Sequence, residues 1–548
     1  MIFFSTLLLS VLITIALIPA LAGLALRLRF VDVPDERKVH EQPVPRIGGI
    51  AMALGALAPM LYWQHGDQFV RAWLAGATVL FVFGILDDLW GLAPVYKFAG
   101  QIAAAALVII LGGVKIKTLG MLLPDGFLLP DGAAFPLTLI AIVGVTNAIN
   151  LADGLDGLAG GICLLIFSSI GYLAYLQGDS AIGFLALALG GAIFGFLKFN
   201  TYPASVFMGD TGSQLLGFSA ITLSLGLTQR GSALSPMLPL LLLGLPVLDT
   251  LFVFTIRLVG GRSPFTADRN HFHHRLMRMG LHHAESVLVI YVLQTILILS
   301  AYIFRFYSDL MLLSGYLFFS IAILCVLTKA DGIGQRTKRT GWYDRILKNS
   351  LRRLRDEGII IRHTFRAFET GLPLLLLFTC LVPSQVPRAF SYVSLAVAAA
   401  IFAVWRLKNK QLGSFLRLTL YLFIPFAVYL SEMRPVTWMA GLPTTLYNML
   451  FALFTFFIIV ISKFSRRMKG FKSTPMDFLI LFLALVFPGL AAQNSQDYHT
   501  GVMAAKIIIL YFCYEVMLAE LRGEVNRVAF ATMAALLVLA IKGLGFGG

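Results

Sequence analysis

Four side chains able to ligate a hard cation stand close together in the sequence: Asn147, Asn150, Asp153 and Asp156. The first three are spaced three apart, so in a helix they fall along one side. Gly154 and Gly157 then let the backbone bend and bring Asp156 round towards the same side. Amides and carboxylates converging in this way suit a hydrated divalent ion and the polyol and phosphate parts of a substrate. Other groups carry matching chemistry. Asp87 and Asp88 are neighbours and leave a helix in different directions, so at most one of them can face a given cation; Lys97 opens the next helix. Asn200, Phe207 and Asp210 lie beside glycines at a helix start. Backbone N–H groups there can receive phosphate, and Asp210 can hold the ion that neutralises it. His271, His273, His274 and Arg275 share a basic loop with Arg262 and Arg269. A His-x-His-His run could hold a transition metal, but no HExxH acid accompanies it, and the arginines suit pyrophosphate better. His282 and His283, just beyond, read as surface residues. Taken singly, each piece has a plainer reading as a helix cap or a solvated helix end.

The elements that must position these residues are membrane helices. Of the chain, 58% is hydrophobic and 13% charged, about half the charged share of a soluble protein. Apolar runs of roughly 18–25 residues recur throughout, each long enough to span a bilayer. The fold class is therefore an all-α polytopic membrane protein. The net charge of +15 collects in short loops, as in segments retained in the cytoplasm, and no basic, aromatic-rich soluble domain is present for a nucleic acid. Cys163, Cys325, Cys380 and Cys513 are scattered through apolar segments without a CxxC pair, so neither zinc nor a disulfide framework is indicated. The N-terminal apolar run lacks a basic start and is followed directly by Arg27 and Arg29, which predicts a retained first span.

Placing basic loops inside gives about eighteen spans with both ends outside, eleven of them before residue 329 and about seven after residue 370. Residues 114–134, with Leu-Pro-Asp-Gly twice, predict a small outer hairpin rather than a span. Pro246 and Asp249 predict a kinked or broken helix bearing a carboxylate at membrane depth. In this arrangement Asp87, Asp88, the 147–156 cluster, Asn200, Asp210 and the histidine loop all fall at cytoplasmic span ends. One face of the membrane thus collects the whole set, which predicts an active site at the inner interface.

The runs Asp87-Asp88, Asn147-x-x-Asn-x-x-Asp-Gly-x-Asp-Gly, Phe207-Met-Gly-Asp and His271-x-His-His occur in that order. Through them, residues 1–328 resemble the polyprenyl-phosphate N-acetylhexosamine-1-phosphate transferases (glycosyltransferase family 4). In such enzymes a UDP-linked amino sugar donates its sugar 1-phosphate to a polyprenyl phosphate, giving a lipid pyrophosphate and UMP with Mg²⁺ or Mn²⁺. The resemblance implies Asp210 as main metal ligand with Asn150 second. It implies Asp87 as base or orienter for the lipid phosphate, Asp88 beside it, and Asp153 and Asp156 shaping the nucleotide and metal pocket. Lys97 would hold phosphate, Asn147 substrate, Asn200 and Phe207 the uracil end, and His271, His273, His274 and Arg275 the donor pyrophosphate. The implied partners are a polyprenyl phosphate, a UDP-amino sugar and a second copy of the chain. The implied location is the bacterial inner (cytoplasmic) membrane, with the active site on its cytoplasmic face and a role in starting lipid-linked envelope glycans such as O-antigen. Two departures stand out. Leu89-Trp90-Gly91 follows the aspartate pair where the family often shows a third acid. The run His271-Phe-His-His after Asp268-Arg-Asn resembles the N-acetylhexosamine branch, which favours UDP-GlcNAc over the muramoyl-pentapeptide donor.

Residues 329–370 form a basic linker, with eleven Lys and Arg between 329 and 366. Trp342, Ile346, Leu347, Leu351 and Leu354 recur there at helical spacing, as in an interfacial helix on anionic lipid or an ordinary solvated helix. Residues 371–548 form a second membrane domain matching no recognised family; Lys506, Glu515 and Lys542 read as charges snorkelling to an interface. A transporter or flippase also has many spans, a broken helix and an intramembrane acid such as Asp249. Against it, the two halves share no similarity and the acids gather at one interface instead of the midplane.

Overall fold

The computed structural model describes residues 2–28, 30–32, 43–63, 66–124, 126–263, 270–336, 359–407, 412–464, 477, 495–520 and 525–545. The expected interfacial helix around Trp342, the histidine-loop arginine Arg269 and most of the span expected between 472 and 493 lie outside the described residues. The chain divides into two compact units, Met1–Arg339 with Thr474–Met476, and Thr340–Ser473 with Asp477–Gly548.

In the first unit the long helices are α1 (Ile2–Leu28), α2 (Gly48–Trp63), α3 (Gln68–Trp90), α4 (Pro94–Gly112), α5 (Asp131–Ala152), α6 (Leu158–Gln177), α7 (Ser180–Asn200) and α8 (Gly209–Gln229). Two short helices, α9 (Leu238–Leu242) and α10 (Gly244–Val259), precede α11 (Phe272–Arg278), α12 (His283–Ile303) and α13 (Asp309–Arg336). Helix α8 is the hub: it packs against α2, α3, α5 and α6 and is buried from Thr211 to Thr228. Its polar composition is tolerated there because the hydroxyls of Ser219, Thr222 and Ser224 donate to carbonyls four residues back, each at 2.7 Å.

Among the described residues, thirteen helices are long and apolar enough to cross a membrane, so this is a multi-pass membrane protein. The expectation of about eighteen differs from this at identifiable places. Helix α2 and the helix at Leu442–Phe464 have shorter apolar cores, α8 is rich in hydroxyls, and one expected span falls largely outside the described residues. The remaining one is broken, as Pro246 predicts: α9 ends and α10 begins at residues 242–244. Two side chains satisfy the carbonyls freed at the break. Gln294 Nε2 donates to the Leu242 carbonyl at 2.7 Å and the Tyr316 hydroxyl to the Gly244 carbonyl at 2.9 Å.

Among the described residues of 114–134 there is neither a spanning helix nor a strand ladder. One backbone bond, from Leu129 N–H to the Lys117 carbonyl at 2.8 Å, closes the loop. Side chains from three helices hold the rest: Thr138 accepts from Ile116 N–H, Gln229 from Lys117 and Thr118, and Asp309 from Met121. A two-stranded ribbon, β1 (Val31–Asp32) and β2 (Val44–Pro45), was not expected. Its Pro45 carbonyl accepts from Phe207 N–H at 2.9 Å, and Gly48 and Gly49 donate to the Phe207 and Met208 carbonyls. The ribbon and the start of α2 therefore hold the segment leading into α8.

The second unit comprises α14 (Ile359–Leu381), α15 (Arg388–Arg406), α16 (Leu412–Met433), α17 (Leu442–Phe464), α18 (Ser495–Glu520) and α19 (Asn526–Leu544). Its core is a continuous set of buried apolar side chains that includes Phe368, Leu416, Ile424, Leu510 and Leu539. Lys506 does not snorkel. It is 2% exposed, 2.5 Å from Glu432 Oε1 and 4.0 Å from the centre of the Tyr447 ring, because a buried ammonium needs a carboxylate partner and gains from an aromatic face. Lys542 turns inward and donates to the Leu381 and Pro383 carbonyls, closing the C-terminal end of α14. Glu515 meets Arg417 at 3.4 Å and accepts from the Tyr421 hydroxyl at 2.9 Å.

Candidate active site

The two adjacent aspartates at the end of α3 are separated by their surroundings. Asp88 faces the first turn of α8. Its Oδ1 accepts from Asp210 N–H at 2.9 Å, and its Oδ2 accepts from Thr211 N–H at 3.0 Å and from the Thr211 hydroxyl at 2.6 Å. Asp88 therefore caps α8 across the bundle, offering negative charge where the helix end is electropositive. This corrects one expectation: the N–H groups of Asp210 and Thr211, expected to receive phosphate, already serve Asp88. Asp87 points elsewhere. It is 4% exposed, accepts from Leu92 N–H at 2.8 Å and lies 2.5 Å from Lys97 Nζ. Lys97 is also 3.1 Å from Asp210 Oδ2, so one ammonium bridges two carboxylates from different helices.

Helix α5 brings amides to the same place. Asn150 Nδ2 donates to Asp210 Oδ1 and to Ser213 Oγ, both at 2.7 Å. One turn earlier, Asn147 donates to Gln101 Oε1 at 2.7 Å, and Gln101 Nε2 lies 3.3 Å from Gln214 Oε1. Gln101 and Gln214 were not singled out from sequence. Their signal was available, because Gln101 follows Lys97 by four residues and Gln214 follows Asp210 by four, one helical turn in each case.

Beyond α5 the chain turns through residues 153–157, and four elements close on that turn. At Gly154 an added Cβ would stand 2.4 Å from His273 Nε2, so only glycine lets the imidazole lie against the backbone. Gly157 has φ +80°, which starts α6 from a left-handed residue. Asn200 Oδ1 accepts from Gly157 N–H and its Nδ2 donates to the Val206 carbonyl, both at 2.9 Å. Asn200 is thus 3% exposed with both ends of its amide engaged, a bracket between the turn and the segment carrying half-buried Phe207. Asp156 Oδ2 accepts from Ala204 N–H at 2.9 Å. Tyr291 of α12 donates to the Gly157 carbonyl at 2.6 Å.

The histidine loop reaches this turn from the other side. His271 Nδ1 is 2.9 Å from Asp249 Oδ2, and Asp249 Oδ1 accepts from Phe272 N–H at 2.8 Å. The membrane-depth carboxylate that a transporter would also carry is thereby engaged by the histidine loop. The His273 ring lies 6.0 Å from that of His271 and 4.2 Å from that of His274. Arg275 is 7% exposed; its Nε donates to the Asn270 carbonyl at 3.1 Å and its guanidinium lies 4.7 Å from the centre of the Phe252 ring. His283, expected at the surface, instead belongs here. Its Nε2 accepts from Asp156 N–H at 3.1 Å and its ring stacks on Tyr202 at 4.5 Å, because the first turn of α12 docks on the 153–157 turn. His282 does lie at the surface, as N-cap of α12.

Electrostatics separate the loop groups. Burial, reinforced by Asp210, Asp156 and Asp88, pushes the Asp153 carboxyl up to about 7. Burial, with His274, His271 and His283 close by, pushes His273 down to about 3, so that ring is neutral at physiological pH. Asp210 and Asn150 offer hard oxygen donors of the kind Mg²⁺ takes. Among the described residues no three carboxylate, imidazole or thiol groups converge as a closed chelate.

Comparison with known proteins identifies the family. The family model described as glycosyl transferase family 4 matches residues 70–228, from α3 to the end of α8. A probable undecaprenyl-phosphate N-acetylglucosaminyl 1-phosphate transferase of Bacillus subtilis (strain 168) is 37% identical over 348 residues, 62% of this chain and 96% of the relative. A decaprenyl-phosphate N-acetylglucosaminephosphotransferase of Mycobacterium leprae is 35% identical over 303 residues, 49% of this chain and 75% of the relative. An undecaprenyl-phosphate alpha-N-acetylglucosaminyl 1-phosphate transferase of Escherichia coli (strain K12) is 29% identical over 271 residues, 48% of this chain and 74% of the relative. The matched segment holds Asp87, Asp88, Lys97, the 147–156 cluster, Asn200, Phe207 and Asp210, and a relative is matched along nearly its whole length. By both its sequence and the helices that gather these groups, the chain belongs to glycosyl transferase family 4.

Proposed function

We propose that this chain transfers N-acetylglucosamine 1-phosphate from UDP-N-acetylglucosamine to a polyprenyl phosphate, releasing UMP and starting a lipid-linked envelope glycan. The observation that carries this is the bridge of Lys97 between Asp87 and Asp210, with Asn150 on Asp210. It is a half-buried cluster at the ends of membrane helices in which one ammonium stands between two carboxylates.

In the proposed reaction an oxygen of the lipid phosphate bonds to the sugar-linked phosphorus. The bond between that phosphorus and the bridging anhydride oxygen breaks, and UMP leaves with that oxygen. A phosphomonoester is already largely ionised at neutral pH, so the nucleophile needs no strong base. Asp87 and Lys97 then have orienting roles: Lys97 draws the anion in and Asp87 fixes the ammonium. Asp210 and Asn150 would hold Mg²⁺ or Mn²⁺, which when bound withdraws charge from the phosphorus under attack. The histidine loop receives the donor pyrophosphate, and the Asn200–Phe207 segment with Asp156 frames the uridine end. Every residue used comes from one chain, although a homodimer is compatible with the scheme. The basic loops share the helix ends that bear the site, which supports a cytoplasmic-face site in a bacterial cytoplasmic membrane.

The test is incubation of the purified protein with polyprenyl phosphate, Mg²⁺ and a panel of UDP-sugars. UMP release with UDP-N-acetylglucosamine is expected, and Asp210→Asn removes most of it. Absence of UMP with every donor overturns the proposal.

A further inference from the structure

The geometry points to Asp249 as the residue that positions His271 for the donor, holding the imidazole by Nδ1 so that Nε2 faces the anion. This deepens the function proposed above and rests on it for the identity of the anion. The sequence placed Asp249 inside a broken membrane helix, where a carboxylate needs a reason to exist. The structure supplies one. Asp249 is 8% exposed and His271 5%, and one carboxylate oxygen meets His271 Nδ1 at 2.9 Å while the other accepts the Phe272 amide at 2.8 Å. The two bonds act on different degrees of freedom. The amide bond fixes where the His271–Phe272 backbone lies. The imidazole bond fixes how the ring is turned and which nitrogen carries hydrogen.

A carboxylate can only accept, so the hydrogen of a neutral His271 is placed on Nδ1. Nε2 is left as the group that meets substrate, and on protonation it becomes a charge-assisted donor to a phosphate oxygen with its countercharge already beside it. His273 stacks 6.0 Å away, and among the described residues no carboxylate bonds its ring. Neighbouring rings of one motif therefore have different duties: His271 is oriented for the anion, and His273 packs against the backbone at Gly154. The break between α9 and α10 gives the arrangement its place, since Asp249 lies in the second turn of α10 and its carboxylate reaches the start of α11.

Two measurements test this. The first needs no turnover: ¹⁵N-histidine spectra of the full-length protein in nanodiscs. A His271 signal with Nδ1 protonated is expected, and an unprotonated Nδ1 overturns the inference even if the protein has no transferase activity. The second is a double-mutant cycle of Asp249→Asn and His271→Gln, with UMP release as readout and thermal unfolding as the folding control. Each single change should lower donor kcat/KM about 10- to 100-fold, as loss of an orienting partner does. KM for polyprenyl phosphate should stay unchanged, and the double variant should be no worse than His271→Gln alone. Losses that multiply would show that Asp249 acts independently of His271. Failure of the wild type to release UMP would refute the proposed function, leaving the spectra to decide the positioning role.

Discussion

Adjacent carboxylates at residues 87 and 88 differ in what removal should do. Asp88 satisfies two backbone N–H groups and one hydroxyl of α8, so Asp88→Ala removes a cap, a loss of about 1–2 kcal/mol. It should lower the unfolding temperature as well as activity. Asp87→Asn keeps the Leu92 bond but discharges the partner of Lys97. It should leave thermal stability nearly unchanged while reducing UMP release at least 100-fold, and an equal fall in both properties for the two variants would contradict the division. Asp153 supplies a pH signature. Its carboxyl is held near 7 against an ordinary 3.8, so the folded protein binds that proton more tightly than the unfolded chain. Its contribution to stability is fullest below the ordinary carboxylate range and is lost as pH rises through about 7. A cation beside Asp210 favours the ionised form, so Mg²⁺ addition at pH 6 should release a proton. Calorimetry in buffers of different ionisation enthalpy would show it. Equal heats in all buffers, or an unchanged release in Asp153→Asn, would refute the coupling.

Four elements close on the turn of residues 153–157, which makes that turn the sensitive element. Gly154→Ala inserts a methyl where His273 Nε2 would stand at 2.4 Å. The ring must move, and the His271–Arg275 segment with it. Donor KM should rise at least tenfold while the helical circular dichroism stays as in the wild type; unchanged kinetics would mean the contact is not used. The turn also shows what was readable beforehand. Its acids, amides and glycines stood in one short run, the helices on either side followed from apolar length alone, and the break followed from Pro246. Bonds between residues far apart in the chain left no such trace. His271 and Asp249 are partners across 22 positions, His283 and Asp156 across 127, and no periodicity connects them. The ribbon at β1 and β2 was equally invisible, since two-residue strands carry no alternation to detect. Gln101 and Gln214 were overlooked for a different reason: they are uncharged, and only their one-turn spacing from Lys97 and Asp210 marks them.

At the scale of the whole molecule, the groups proposed to act in transfer all belong to the first unit, Met1–Arg339 with Thr474–Met476. The family model matches residues 70–228, all within the first unit, and the Bacillus subtilis relative is matched over 96% of its length by 62% of this chain. The second unit has its own apolar core and its own buried ion pair between Glu432 and Lys506. That pair gives a way to disturb it alone. Lys506→Ala strands Glu432 in a largely apolar setting, a loss of about 3–5 kcal/mol, and should lower the unfolding transition of the second unit. Replacing both, as Lys506→Met with Glu432→Leu, should restore much of it, because the buried apolar pair carries no desolvation penalty. Throughout, UMP release per folded protein should stay within about twofold of the wild type, and so should that of a chain ending after residue 339. A truncated chain that folds in nanodiscs, binds Mg²⁺ with the same proton release and yet transfers no sugar phosphate would instead place part of the catalytic machinery in the second unit.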